Sequence, residues 1–397
     1  MAPRILFSVF GSAGDLFPLL PVIKHLTKSG CDVRVATSRA AGLYTRVAGI
    51  DTIALGDGTD TRILRDPVMS SDRFDGWTSW RHTVTHYVLP TLADDVRRIE
   101  ALTQDWTPDL VVAGSFATAA RIAAYNLDLP IIDLSVYPQH DFLAQSPNVG
   151  NFASPFRESA VRLLRPGVVD RVPTAKWLWG SPTDVLIHDR ALLGSSCPEL
   201  DPVGFPAWNA VPTRPDETAA AAVFLAGSGP SVIATLGSFR GQHARATWLA
   251  IAKAAKASRT RLLMVGAPTR WAAEEFAGQP DVLAVGFLDL SAAFPFGEVI
   301  IHHGGIGTTM AALRAGRPSV VLPHAFDNMF NGRLLHAAGV GACSVPTALT
   351  ADLESTLASS PLHDSAARIA TRLVPTAEAA STIAGQCVDA LESRGGR

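Results

Sequence analysis

His302, His303, Gly304, Gly305, Gly307 and Thr308 fall together in the stretch "VIIHHGGIGTTMAALRAGRPSVVLPHAFDN", Val299 to Asn328. An apolar, β-branched run stops at two histidines, and a glycine-rich turn leads into a helix-like segment. Such a junction can hold a metal, hold an anion, or simply turn the chain tightly around one buried histidine. A metal fits poorly. Adjacent residues at a strand end point to opposite faces, and neither histidine has a partner at helical spacing or a neighbouring carboxylate. An anion fits better. The glycines allow positive φ and close backbone approach. A helix opening at Thr308 or Thr309 leaves free N–H groups and the positive end of its dipole facing the turn, and a histidine supplies one further donor. Together these suit a diphosphate.

A second loop lies beside the first. Gly316 and Pro318 stop the helix, the strand "SVVLP" follows, and "HAFDN" emerges on the same side of the sheet. Asp327 and Asn328 there offer acceptors and donors together, a pair suited to sugar hydroxyls. Asp327 is also placed to cap the helix "NMFNGRLLHAAG", and both roles can hold at once. Near the other end of the chain, Asp15 follows the strand "ILFSVFG" on the turn Gly11-Ser12-Ala13-Gly14. A carboxylate at a strand's carboxyl end can serve as a general base. It can also cap the next helix, with Pro18 in the first turn.

The elements that must position these groups alternate. "RILFSVFG", "DVRVATS", "DLVVAGS" and "PIIDLSV" read as strands. "LFPLLPVIKHLTKSG", "HYVLPTLADDVRRIEALTQDW" and "ATAARIAAYNLDL" read as the helices among them. The order implies an α/β fold with a parallel sheet and helices on both faces. A proline-rich stretch near residues 200–228 marks a linker. After it the alternation restarts with "SVIATLGS", "HARATWLAIAKAAKAS", "RLLMVG", "VLAVGF", "EVIIHHGG", "TTMAALRAG" and "PSVVLP", and the tail from Ala351 to Ser393 is helical. Two long unpatterned stretches, Gly56 to Trp80 and Pro138 to Pro155, carry Phe74, Trp77, Trp80, Phe142 and Phe152. These aromatics either line an apolar acceptor pocket or pack their own loops.

Bulk properties exclude several classes. With 397 residues the chain is too long for one ordinary core, and two domains are expected. Charged residues make up 18% and the formal net charge is -2, so no basic field points to a nucleic acid. The four cysteines, Cys31, Cys197, Cys343 and Cys387, show no CxxC, which argues against zinc or a disulfide scaffold and for a reducing compartment. The first residues read as a strand rather than a targeting segment, and no apolar run reaches membrane length. A cytoplasmic protein is expected, with monomer and homodimer both open.

The pair of motifs resembles the family 1 glycosyltransferases, in particular the bacterial branch that glycosylates antibiotics, sterols, lipids and other small molecules. "HHGGIGTTMAALRAGRPSVVLPHAFDN" is similar to that family's H-H-G-G-x-G-T, A-G-x-P and P-x-x-x-D-Q pattern, and "FGSAGD" to its G-S-x-G-D-x-x-P start. The resemblance implies the GT-B fold, two Rossmann-like doubly wound domains facing across a cleft. Residues 1–205 would form the acceptor-binding domain, 206–228 the linker and 229–375 the nucleotide-sugar domain, with a last helix at about 376–393 packing back on the first domain. It implies inverting transfer from a UDP- or dTDP-sugar to a hydroxyl of an apolar small molecule, with no cofactor and no metal. By position, Asp15 would be the base and Ser12 a diphosphate contact. His302 would meet the diphosphate beside Gly304, Gly305, Gly307 and Thr308, with Gly237 and Ser238 near the phosphates. Phe287 and Leu288 would hold the base of the nucleotide, and Asp327 and Asn328 the sugar. Asn328 departs from the usual glutamine, which leaves the donor sugar open. "LVVAGSF" carries no acid, so a His–Asp dyad is not expected and Asp15 would act alone. A sugar-nucleotide epimerase or hydrolase, and a catalytically silent auxiliary protein, are the competing readings.

Overall fold

A computed structural model describes residues 2–10, 13–57, 81–114, 116–136, 156, 158–169, 184–194, 200–209, 213–239 and 242–395. Ser12, Phe74, Trp77, Trp80, Phe142 and Phe152 lie outside the described residues.

The N-terminal half holds β1 (Arg4–Val9), β2 (Asp32–Ser38), β3 (Asp51–Leu55), β4 (Leu110–Ala113), β5 (Ile131–Ser135) and β6 (Val185–Leu186). The C-terminal half holds β7 (Ser231–Thr235), β8 (Arg261–Val265), β9 (Val282–Val285), β10 (Val299–His302), β11 (Ser319–Val321) and β12 (Gly341–Cys343). Each half is a six-stranded sheet. The orders are β3-β2-β1-β4-β5-β6 and β12-β11-β10-β7-β8-β9, with parallel pairing in both. Counted from its own first strand, the second order repeats the first. Both are doubly wound Rossmann-like sheets, whose switch point lies beside the first strand and opens a crevice at the strands' carboxyl ends.

Ten described helices have eight residues or more. They are α1 (Leu19–Lys28), α2 (Leu89–Leu102), α3 (Thr118–Leu127), α4 (Pro215–Leu225), α5 (Gln242–Ala257), α6 (Ile306–Arg314), α7 (Asn328–Ala337), α8 (Leu349–Ala358), α9 (Ser360–Ala370) and α10 (Thr376–Gly395). Strand spans follow the apolar runs closely, because strands covered on both faces read as near-continuous Val, Ile and Leu. Val299, Ile300 and Ile301 are each fully buried. Several elements depart from the sequence expectation, the short strands β6 and β12 among them. β3 and a short helix at Gly42–Val47 precede the first unpatterned stretch; β3 is an edge strand and its five residues show no clean alternation. The proline-rich linker contains α4, begun by Pro215 at its first position, where a missing N–H costs nothing. Its Glu217 accepts from the Gly286 N–H at 2.6 Å and fixes the helix to the end of β9.

The halves share apolar packing. One buried cluster runs from Leu19, Leu20 and Ile23 of α1 through Ile383 and Cys387 of α10 to Ile306 and Met310 of α6 and Leu335 of α7. α10 follows the C-terminal half and packs on α1 and β4 of the N-terminal half. A polar knot holds the two chain crossings beneath the cleft. Arg314 donates to the carbonyls of Phe205 (2.8 Å) and Val374 (2.9 Å), and Asp189 accepts from the Val374 N–H (2.8 Å).

Arg121 on α3 is 1% exposed. It donates from Nε to Asp133 at 2.6 Å and from Nη2 to the Gly114 carbonyl at 2.9 Å, which fixes the turn leaving β4. Burial pushes the Asp133 carboxyl up, and Arg121 opposes that shift. Arg121→Met would leave Asp133 buried without its partner, at a cost of about 3–5 kcal/mol. Urea unfolding should show that loss. The double variant Arg121→Met/Asp133→Leu should recover part of it, and a double variant no more stable than the single would refute this account.

Candidate active site

β10 lies between β7 and β11, with His302 in register with Thr235 and Val321. The alternation of the strand sends the two histidines apart. His302 is fully buried, and its Nδ1 accepts from the Gly304 N–H at 3.1 Å. Its proton therefore sits on Nε2, which has no hydrogen-bond partner among the described residues. Burial pushes its pKa down to about 3, so the ring is neutral. His303 is only partly buried, and its ring lies over Gly237 and Gly305. A Cβ at Gly237, where φ is 58°, would stand 2.6 Å from its Cε1. Of the two histidines, His303 is the one with a surface open to a ligand, while His302 braces the turn from inside.

α6 opens at Ile306, two residues earlier than expected, with Gly305 in the cap position at φ −64° and ψ 139°. Ile306 is 4% exposed and anchors the first turn in the core, which explains the early start. The expected opener Thr309 is consequently fully buried inside the helix. Gly307 is exposed and Thr308 partly so, leaving the first turn of α6 accessible. Gly237 and Ser238, after β7, are both partly buried on the same side. At the end of β9, Phe287 is 40% exposed, whereas Leu288 is 5% exposed and belongs to the core.

The β11–α7 loop supplies the second wall. Asn328 is 5% exposed. Its Oδ1 accepts from the N–H groups of His324 (3.2 Å) and Ala325 (3.0 Å), and its Nδ2 donates to Asp327 at 3.3 Å. The amide expected to hold a sugar is thus engaged in bracing its own loop. Asp327 precedes α7 but its side chain makes no cap bond there, so the capping alternative does not apply. Its carboxylate instead accepts from Asn331 Nδ2 at 2.8 Å and faces the Ile306 N–H at the start of α6. Burial, and then the charge of Asp15, push the Asp327 carboxyl up to about 6.

That second cause joins the halves. Asp15 sits on the short helical turn Ala13–Leu16 after β1, partly buried. The cap position of α1 belongs to Pro18, so Asp15 is not that helix's cap, and its charge reaches Asp327 from the opposite domain. Phe116, after β4, and Phe326, before Asp327, meet across the same cleft with ring centroids 6.2 Å apart, edge to face. Both have positive φ, 59° and 49°. Non-glycine residues in that region carry strain, which gathers at functional sites. Nothing in the sequence marks these two phenylalanines. Asn331 had a signal, since it stands four residues beyond Asp327 at helical spacing.

The Asp327 shift gives a testable pH dependence. A carboxyl whose folded pKa lies above its ordinary value binds protons more tightly when folded. Stability from this group therefore falls as pH rises from about 4 to about 6, and is constant above. In Asp327→Asn that fall should be missing. Urea midpoints at pH 4 to 7 should decline less for the variant; parallel curves would contradict the shift.

Residues 268–392 match the family model for the C-terminal domain of proteins like erythromycin biosynthesis protein CIII. The L-demethylnoviosyl transferase of Streptomyces niveus is 26% identical over 350 residues, covering 85% of this chain and 84% of that one. The 3-alpha-mycarosylerythronolide B desosaminyl transferase of Saccharopolyspora erythraea is 24% identical over 391 residues, covering 88% of each. Among solved structures, the spinosyn rhamnosyltransferase SpnG superposes with a TM-score of 0.69 at 20% identity, covering 97% of this chain and 100% of that chain. SpnG has also been solved with spinosyn aglycone and with thymidine diphosphate. These likenesses bear out both the family resemblance and the GT-B fold. Among the described residues no helix is long and apolar enough to cross a membrane.

Proposed function

We propose that this chain, a glycosyltransferase of the GT-B type, moves a sugar from a dTDP- or UDP-sugar to a hydroxyl of an apolar small molecule in natural-product biosynthesis, with inversion and without a metal. The observation that carries the reading is the approach of Asp15 and Asp327 from opposite domains, beside an accessible helix N-terminus. Asp15 takes the proton of the acceptor hydroxyl as its oxygen attacks the anomeric carbon. The nucleoside diphosphate leaves toward the first turn of α6, where N–H groups, the helix dipole, Thr308 and the His303 ring stabilise its growing charge. His302 supports that turn through Gly304 rather than touching the diphosphate, in keeping with its complete burial. Asp327 accepts from a sugar hydroxyl, and Phe287 covers the base. Thymidine is the first donor class to test, because the structural neighbour SpnG has been solved with thymidine diphosphate.

Calorimetric titration with dTDP, UDP, GDP and ADP, with and without EDTA, tests this directly. Binding of one pyrimidine diphosphate, unchanged by EDTA, is the expected result. No binding to any of the four, or binding abolished by EDTA, would overturn the reading.

A further inference from the structure

Asn331 lies on the second turn of α7 and is fully buried. Its Nδ2 has two hydrogens and both are used. One goes to the Gly304 carbonyl at 2.8 Å, in the glycine turn after β10. The other goes to Asp327 Oδ2 at 2.8 Å, in the loop after β11. A single amide thus ties the phosphate-side turn to the sugar-side carboxylate. Among the described residues its Oδ1 has no partner within normal hydrogen-bond geometry. That oxygen faces His188, which follows β6 in the other domain. The His188 Nδ1 accepts from the Asp189 N–H at 2.9 Å, so its proton sits on Nε2, the edge turned toward Asn331. Among the described residues this Nε2 also lacks a completed bond. Burial pushes the His188 pKa down to about 4, so the ring is a neutral donor. Phe330, the neighbour of Asn331, meets the His188 ring edge to face, with centroids 6.5 Å apart. A buried donor and a buried acceptor therefore face each other across the domain boundary, and leaving such groups unpaired is costly.

We propose that Asn331 is a positioning residue: it locks the glycine turn and Asp327 into one donor-binding unit and, through the bond its carbonyl completes with His188, sets that unit's position against the acceptor domain when nucleotide sugar binds. The proposal rests on the donor-site reading given above. It assigns Asn331 no contact with substrate. Asp189 extends the same link, because its carboxylate accepts the Val374 N–H where the chain crosses between domains.

The test is a double-mutant cycle read by calorimetry, with dTDP and dTDP-glucose as probes, or UDP and UDP-glucose if the wild-type protein prefers uridine. Asn331→Ala should weaken binding of the nucleotide sugar by about ten-fold, the range of one or two buried hydrogen bonds. His188→Phe, which keeps the ring but removes the donor, should weaken it several-fold from the other domain. His188→Gln, which restores an N–H donor, should recover most of the loss. The two losses should not multiply in the double variant, because they break one link. In the unmodified protein, dTDP-glucose should slow hydrogen exchange at the Asp189 amide, a readout that needs no variant to fold. Wild-type protein that binds none of these probes sinks the donor-site reading itself. Wild-type binding with equal affinities in His188→Phe and His188→Gln, fully multiplicative losses, or unchanged exchange at Asp189 sinks this inference alone.

Discussion

Asp15→Asn is expected to lower turnover by about 10²–10⁴-fold, the usual worth of a positioned general base, while the affinity for the nucleoside diphosphate stays within about two-fold. The substitution keeps the shape of the side chain and removes its basicity. It also removes the negative charge that Asp327 feels across the cleft. The Asp327 carboxyl should therefore titrate lower in the variant, and the remaining activity should extend to lower pH. Nucleotide affinity is expected to survive because the diphosphate is assigned to the far domain, at α6. Initial rates at saturating donor and acceptor, set beside calorimetric affinities, separate the two quantities. A ten-fold or greater loss of diphosphate affinity with turnover intact would make Asp15 a donor ligand rather than a base.

Gly304→Ala should destabilise the protein by roughly 2–5 kcal/mol, combining left-handed strain with overpacking. Gly304 has φ 91°, and a Cβ there would stand 2.6 Å from the Asn328 carbonyl oxygen and 2.8 Å from Val321 Cγ1. The first of these is backbone at the opening of α7 and cannot rotate away. Relief would require the turn to lift off α7, breaking the Asn331–Gly304 bond and with it the alignment of α6. Donor affinity should fall with stability. Gly307→Ala is the matched control, because the nearest atom a Cβ would meet is Phe205 Cζ at 4.0 Å and the position is helical. Its stability should equal or exceed the parent's by up to about 1 kcal/mol. Urea unfolding of both variants decides the matter, and equal midpoints would mean that the turn is not held against α7 as described.

The placement of individual side chains was less legible than the elements that carry them. Alternation along β10 requires His302 and His303 to diverge, but not which of them faces the core; β7, β11 and α6 decide that by burying His302. Asn328 reads in sequence as a sugar ligand. It becomes a loop brace because two backbone N–H groups, of His324 and Ala325, turn toward it and would otherwise go unpaired. The linker reads as proline-rich chain, yet Pro215 starts a helix and Glu217 anchors it.

What the sequence determined by itself were local properties: which runs are strands, where glycine lets the chain turn sharply, and that a glycine-rich turn and a carboxylate stand at strand ends in opposite halves. These follow from side-chain period and backbone sterics, which act over a few residues. What tertiary structure alone decided were the relations across hundreds of residues: Asp15 within reach of Asp327, Phe116 against Phe326, and His188 facing Asn331. Such pairs leave no periodic trace in the chain. They exist because two parallel sheets present their carboxyl ends to one cleft, and because α10 and the Arg314 knot pack the halves together.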